Sequence, residues 1–195
     1  MSSDSLGDRI KGYENAYRIS LPWRMPVIIR LDGTAFHSYT RGCKRPVDQG
    51  LVDVMNETAI YLCKNIQGAR LAYLQSDEIS ILLNNYETLQ TKPWSDNNLQ
   101  KMVSKSAAQA SAYFSLASSK IWEGKQKLAY FDSRAWVLPK EEVNNAFYWR
   151  QQDCTRNATQ MVARTLYSHK ELNNKNFKQL NEMLFAKGVN FNDLP

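Results

Sequence analysis

ARLAYLQSDEISILL, residues 69–83, is the stretch from which the fold is read. Its two apolar runs, 69–75 and 79–83, are joined tightly at Ser76-Asp77-Glu78, which is the composition of a β-hairpin. Upstream, PVIIRL (26–31) is β-branched and apolar and reads as a buried strand, broken by Asp32-Gly33. Between strand and hairpin, Val47, Leu51, Val54, Met55, Thr58 and Leu62 follow helical spacing, which predicts a helix from Val47 to Cys63. Downstream, Trp94-Ser95-Asp96 opens a helix running to about Ser118, and its SAAQASA segment (106–112) suits close packing against a sheet. KLAYFDSRAWVL (127–138) reads as a further strand that Pro139 ends.

The order is strand, helix, hairpin, helix, strand. That is the βαββαβ plan of a ferredoxin-like antiparallel sheet, an α+β fold with helices on one face. Ahead of it, LGDRIKGYENAYR (6–18) reads as a polar helix or arm. After it, a helix runs from about Glu141 to Tyr167, and Ser168-His169-Lys170-Glu171 has the spacing of a capping box that opens a polar helical tail. The chain divides into 1–140, the sheet domain with its N-terminal arm, and 141–195, a helical extension packed on it as one structural unit.

Bulk properties narrow the function. No apolar run approaches the roughly 20 residues that span a bilayer, and Met1-Ser2-Ser3-Asp4-Ser5 lacks the basic-then-apolar layout of a secretory signal. Cys43, Cys63 and Cys154 are odd in number and scattered, so neither a disulfide framework nor a zinc cluster is indicated. These features read as a cytoplasmic protein without membrane contact. A net charge of +6 favours a polyanionic partner.

Asp32 ends the first strand, and Asp77 with Glu78 sits in the hairpin. In a βαββαβ sheet strands one and three are central neighbours, so these distant carboxylates meet at one edge. Carboxylates gathered without cysteine or histidine point to Mg²⁺ or Mn²⁺. Two such ions can clamp a triphosphate for in-line displacement, and Gly33 lets its carbonyl approach a metal. The same residues are also what two ordinary turns contain.

Four segments carry a more specific signal: RLDGTAFHSYTRG (30–42), AYLQSDEISILL (72–83), FDSRAW (131–136) and YWRQQDCTRNA (148–158). In this order they resemble the tRNA-histidine guanylyltransferase-like family, the 3′→5′ RNA polymerases, over nearly the whole chain. The resemblance implies a polymerase-palm domain, two Mg²⁺ ions, and ATP or GTP as substrates. It also implies tRNA or a tRNA-like RNA as partner and a homo-oligomer, dimer or tetramer. The RNA 5′ end is activated by adenylylation or by an existing triphosphate, and the 3′-hydroxyl of an incoming nucleotide attacks it.

By motif position the resemblance assigns Asp32, Asp77 and Glu78 as catalytic, with Asp32, Asp77 and the Gly33 carbonyl on the metals. Arg30, His37, Arg45, Ser76, Lys101 and Asn157 would bind the nucleotide or its triphosphate. Arg150 and Arg164 would approach RNA. Asp132 and Arg134 could form a structural ion pair or line the site, and the first reading is preferred.

On the helix after Glu141, Arg150, Asp153, Asn157, Gln160 and Arg164 form one polar stripe, with Trp149, Ala158 and Val162 opposite. A stripe of this kind is equally the mark of a solvated face. Family members that add the extra guanosine to tRNA-histidine carry a histidine after Asp-Cys, where this chain has Thr155. That departure favours the branch whose activity is template-directed repair of tRNA 5′ ends. The resemblance also implies a short basic segment beyond Asn192-Asp193-Leu194-Pro195. The rival readings are dedicated tRNA-histidine guanylylation, a nucleotidyl cyclase that needs no RNA, and a non-catalytic RNA-binding module.

Overall fold

The computed structural model describes residues 5–124 and 127–190. Met1 to Asp4 of the N-terminal reading, and the chain end at Asn192 to Pro195, lie outside the described residues. The strands are β1 (Val27–Gly33), β2 (Ala69–Gln75), β3 (Glu78–Leu83) and β4 (Phe131–Val137). They form one antiparallel sheet in the order β2-β3-β1-β4, so β1 and β3 are central neighbours. Asp32-Gly33 does not break β1 as the sequence suggested. Both residues remain in the ladder, Asp32 opposite Glu78 on one side and Asp132 on the other, with Gly33 opposite Phe131. Glu78 likewise belongs to β3, leaving a two-residue hairpin loop, Ser76-Asp77, in which Ser76 takes φ +55°.

The helices before the sheet and within it are α1 (Leu6–Ala16), the single turn α2 (Phe36–Tyr39), α3 (Gln49–Asn65) and α4 (Leu99–Ala117). Val27, Ile29 and Leu31 point one way from β1 and are fully buried with Val54, Leu62, Met102 and Phe114 of α3 and α4. Burying each such side chain contributes about 1.5–3 kcal/mol. The small residues of α4 let it lie on β4. Ser106 Oγ meets Ser133 Oγ at 2.8 Å, and the Ser111 and Ser115 hydroxyls accept from Phe131 N and Ala129 N at 2.9 Å each.

This helix begins later than Trp94. Ser95, Asp96 and Asn97 adopt left-handed angles, and the buried Asn97 side chain donates to the carbonyls of Leu21 and Pro22. Asn98 then caps α4 by accepting from Lys101 N at 2.9 Å.

The expectation of helices on one face is corrected by α5 (Val143–Leu166), which lies on the second face of the sheet. Ile28, Ser80 and Trp136 meet Ala146, Phe147, Trp149 and Arg150 across a gap of about 20 Å³. Tyr73 of β2 packs edge-on to Phe147. α6 (His169–Leu172) opens with the predicted capping box at Ser168 and Glu171. A second box at Asn176 and Gln179 opens α7 (Phe177–Ala186), whose Leu180 and Leu184 bury Ala163 of α5 in a small satellite core. Among the described residues no helix is long and apolar enough to cross a membrane.

Candidate active site

The chain leaves β1 at Gly33, turns through Ala35 (φ +56°) and makes the single turn of α2. Phe36 anchors that turn, stacked on Tyr39 at 5.0 Å and tilted against Phe114 and Phe131 at 5.4 and 5.0 Å. His37, the next residue, is thereby left facing solvent. Lys127 Nζ donates to the Tyr39 carbonyl and lies 4.5 and 4.4 Å from the Tyr39 and Trp122 ring centres, which ties the turn to the connection between α4 and β4. Asp48 fixes the next stretch. Its carboxylate accepts from Lys44 N (2.9 Å) and from Leu51 N (3.2 Å), capping α3. These hydrogen bonds, that of Lys44 first, hold its pKa below the usual carboxylate range.

Between this loop, α3, the hairpin tip and α5 lies a cleft of about 620 Å³. It brings together five of the predicted residues: His37, Arg45, Ser76, Asp77 and Asn157. Leu51, Met55, Leu74, Ala158 and Met161 give it apolar walls. Ala158 was read as lying opposite the polar stripe, yet it lines the cleft beside Asn157. Sequence reasoning missed Asp48, Gln75 and Cys154. The Asp48 signal was available, since an aspartate three residues before Leu51 at a helix start is an N-cap pattern.

At the sheet edge, Gly33 N donates to the Asp77 carbonyl at 3.1 Å, tying the hairpin tip to β1. The Asp77 carboxyl is pushed above its ordinary pKa, chiefly by burial and further by the charge of Asp32. Among the described residues no three aspartate, glutamate, histidine or cysteine side chains form a ready-made metal cage. The donors expected at this edge from the sequence are two carboxylates, Asp32 and Asp77, and the Gly33 carbonyl. That set fits Mg²⁺, which keeps several waters and takes phosphate oxygens alongside one or two carboxylates. Asp132 stands in register beside Asp32, and its expected pair with Arg134 is present at 3.6 Å and half exposed, so it contributes little stability.

Glu78 faces the second side of the sheet and meets α5. Arg150 donates to both its oxygens, from Nε and Nη2 at 2.8 Å each. Arg30 Nε lies 3.9 Å from the same carboxylate, and its guanidinium sits over the Trp136 and Trp149 rings at 5.6 and 5.9 Å. Neither Arg30 nor Arg150 lines the cleft.

Lys101 lies elsewhere. Ser106 packs on Ser133, so Lys101, five residues earlier on α4, stands about 7.5 Å further toward the Val137 end, away from the carboxylates. Arg164 is exposed on α5 beyond the cleft wall.

A family model described as tRNAHis guanylyltransferase matches residues 7–139. A probable tRNA(His) guanylyltransferase of Dictyostelium discoideum is 28% identical over 87% of this chain and 70% of its own length. A probable tRNA(His) guanylyltransferase of Drosophila melanogaster is 30% identical over 87% of this chain and 63% of its own length. Among solved structures, a bacterial tRNA(His) guanylyltransferase (Thg1)-like protein in complex with ATP is 52% identical. It superposes with a TM-score of 0.94 over 98% of this chain and 84% of that one. A bacterial protein of the same description in complex with GTP is 54% identical, with a TM-score of 0.82 over 85% of this chain and 78% of that one.

Proposed function

The chain belongs to the tRNAHis guanylyltransferase family, and from that premise we propose that it extends the 5′ end of tRNA in the 3′→5′ direction, directed by the opposite strand. It does so as a Mg²⁺-dependent nucleotidyltransferase on a polymerase-palm sheet. The observation that carries this reading is the cleft, whose lining holds His37, Arg45, Ser76, Asp77 and Asn157 together. Solved relatives described as complexes with ATP and with GTP support either triphosphate as substrate here.

The apolar wall of Leu51, Met55, Leu74 and Met161 takes the base. Arg45 offers a guanidinium fork to the phosphates, and the Ser76 hydroxyl and Asn157 amide donate to their oxygens. The 3′-hydroxyl of the incoming nucleotide attacks the α-phosphorus of the activated 5′ end. A new P–O bond forms, and pyrophosphate leaves a triphosphate end or AMP leaves an adenylylated one. Two Mg²⁺ ions on Asp32, Asp77 and the Gly33 carbonyl would supply charge neutralisation at the transferring phosphorus. Asp77 must be ionised to take that role, so its raised pKa makes ion binding weaken as pH falls. The rest of catalysis is positional: Gly33 N–H holds the hairpin tip, and Asp48 holds the loop that carries Arg45.

Thr155 supports the repair branch, since its hydroxyl turns back to the Gln151 carbonyl within α5. The family description favours a second reading, addition of one guanosine to tRNA-histidine. A homo-oligomer, dimer or tetramer, is supported by α1 and the residue that caps it, where Leu6, Ile10, Tyr13 and Tyr17 are all exposed. We place the activity in the cytoplasm.

The test supplies tRNAs lacking the first 5′ nucleotide, as 5′-triphosphate and 5′-monophosphate forms, with all four nucleoside triphosphates and Mg²⁺. Extension that follows the opposite strand and disappears in Asp77→Ala supports repair. Untemplated guanosine on tRNA-histidine alone establishes the second reading. A cyclic nucleotide made without RNA, or Mg²⁺-independent RNA binding with no pyrophosphate released, overturns both.

A further inference from the structure

Glu78 is held by a bidentate arginine pair near the site, yet its partners lie on the side away from the cleft. It is adjacent to Asp32 in the β1–β3 register, on the same face of the sheet. Directly opposed positions of this kind hold their Cβ atoms about 4.5–5.5 Å apart. An unpaired Glu78 would therefore add a third carboxylate beside Asp32 and Asp77, repelling the first and competing for any cation the edge holds. Arg150 prevents this. Its fork takes both Glu78 oxygens at 2.8 Å, and the two side chains are only 11% and 13% exposed. The stacking of Arg150 on Trp149 at 4.6 Å fixes the fork from behind.

We propose that Arg150 is a positioning residue for the proposed reaction, acting through Glu78 to keep the carboxylate edge to two free members, Asp32 and Asp77. The same guanidinium reaches the cleft wall. Arg150 Nη2 donates to Asp153 Oδ2 at 3.1 Å, and that oxygen also accepts from Gln75 Nε2 at 3.0 Å and from Asn157 Nδ2 at 3.4 Å. One carboxylate thus joins the Glu78 clamp to Asn157 and Gln75, both of which line the cleft. Placing Arg150 on RNA would break the pair and leave Glu78 buried and uncompensated. Stability alone is a weak reason for the pair, because buried ion pairs add little over apolar residues of the same size.

The proposal rests on the nucleotidyltransferase reading, and its test separates the two. Mn²⁺ binding is measured by electron paramagnetic resonance on wild type, Arg150→Lys, Arg150→Gln and the double variant Arg150→Gln/Glu78→Gln. Thermal melts verify folding, and 5′-extension kinetics follow. Lysine keeps the charge and loses the fork. Arg150→Lys should tighten Mn²⁺ binding while lowering kcat, each about 10–100-fold, as the ion is drawn toward the freed carboxylate, with KM for triphosphate and RNA little changed. Arg150→Gln should change both at least as much. The double variant, with no free carboxylate at position 78, should return Mn²⁺ affinity toward wild type. That return is one that a purely structural role or an RNA contact would not produce.

Wild-type Mn²⁺ affinity and kcat in folded Arg150→Lys overturns the proposal. So does an increase confined to the KM for RNA, or a wild type that binds no Mn²⁺. A wild type that binds Mn²⁺ and extends no RNA sinks the functional reading instead, and the Mn²⁺ affinities of the variants then decide this one.

Discussion

Gly33→Ala is the most telling single-atom perturbation of this fold. A Cβ at Gly33 would stand 2.5 Å from Phe36 Cγ and 2.8 Å from Cε2, where carbon atoms ordinarily approach to about 3.5–4.0 Å. The ring has nowhere to retreat. It is 4% exposed and packed on Tyr39, Phe114 and Phe131, with centroids 5.0–5.4 Å away. Overpacking of this kind costs about 1–3 kcal/mol. The contact is with the body of a ring rather than a flexible chain end, which puts the cost near the upper end. At about 2–4 °C per kcal/mol for a chain of this size, Tm should fall by about 6–12 °C. Activity should fall further than the melt implies, because moving Phe36 moves His37 and strains the Gly33 N–H bond to Asp77. Gly12→Ala is the control. It lies within α1 with nothing inside 4 Å of a new Cβ, so alanine should be neutral or add about 0.5–1 kcal/mol. Thermal melts followed by circular dichroism read both. A Gly33→Ala protein that melts with wild type would refute the packing account of this glycine.

Two further perturbations separate the cleft from its surroundings. Asp48→Ala removes the α3 cap and should cost about 1 kcal/mol at neutral pH, while raising the triphosphate KM as the loop carrying Arg45 loosens. The pKa of Asp48 is depressed in the folded state, so its contribution is present above the unfolded value of about 3.9 and is lost as pH falls through the folded one. The stability gap between wild type and Asp48→Ala should therefore be constant above about pH 5 and shrink below about pH 4; a gap that ignores pH contradicts the charge-based cap. Lys101→Ala should leave triphosphate KM within about twofold of wild type, since that lysine stands at the far end of α4; a tenfold rise, about 1.4 kcal/mol, would mean that it reaches a cleft by a route this chain alone does not provide.

Some of the architecture was readable because local chemistry decided it. The hairpin at 76–77, the helical spacing of Val54, Met55, Thr58 and Leu62, and the Ser168–Glu171 capping box each follow from residues a few positions apart. Helix starts were harder. Ser95, Asp96 and Asn97 tolerate left-handed angles, and what selects those angles is the Asn97 side chain reaching Leu21 and Pro22, some 75 residues away. The second helical layer did leave a trace. VIIRL does not alternate, and Ile28 is as buried as its neighbours, which is the pattern of a strand covered on both faces.

The candidate site divides along the same line. His37, Arg45, Ser76, Asp77 and Asn157 come together because each sits within a few residues of an element end that the sheet topology brings to one edge. Arg30, Glu78 and Arg150 were assigned by motif position, and position in a motif alone does not say which side of a strand or helix is used. Period two settles it. Glu78 and Arg30, paired with Asp32 and Ser80 in the β1–β3 register, share the face that α5 covers, whereas Asp77 lies in the loop and turns to the cleft. One position of register thus separates a carboxylate facing the cleft from one clamped by two arginines. The partner that reveals the difference, Arg150, is 72 residues from Glu78 in sequence, on a helix whose docking face no local pattern specifies. A hairpin loop longer by the single residue Glu78 would have released that carboxylate from the strand and set it in the loop with Asp77. The two-residue loop at Ser76-Asp77 is therefore the feature on which the chemistry at this edge depends.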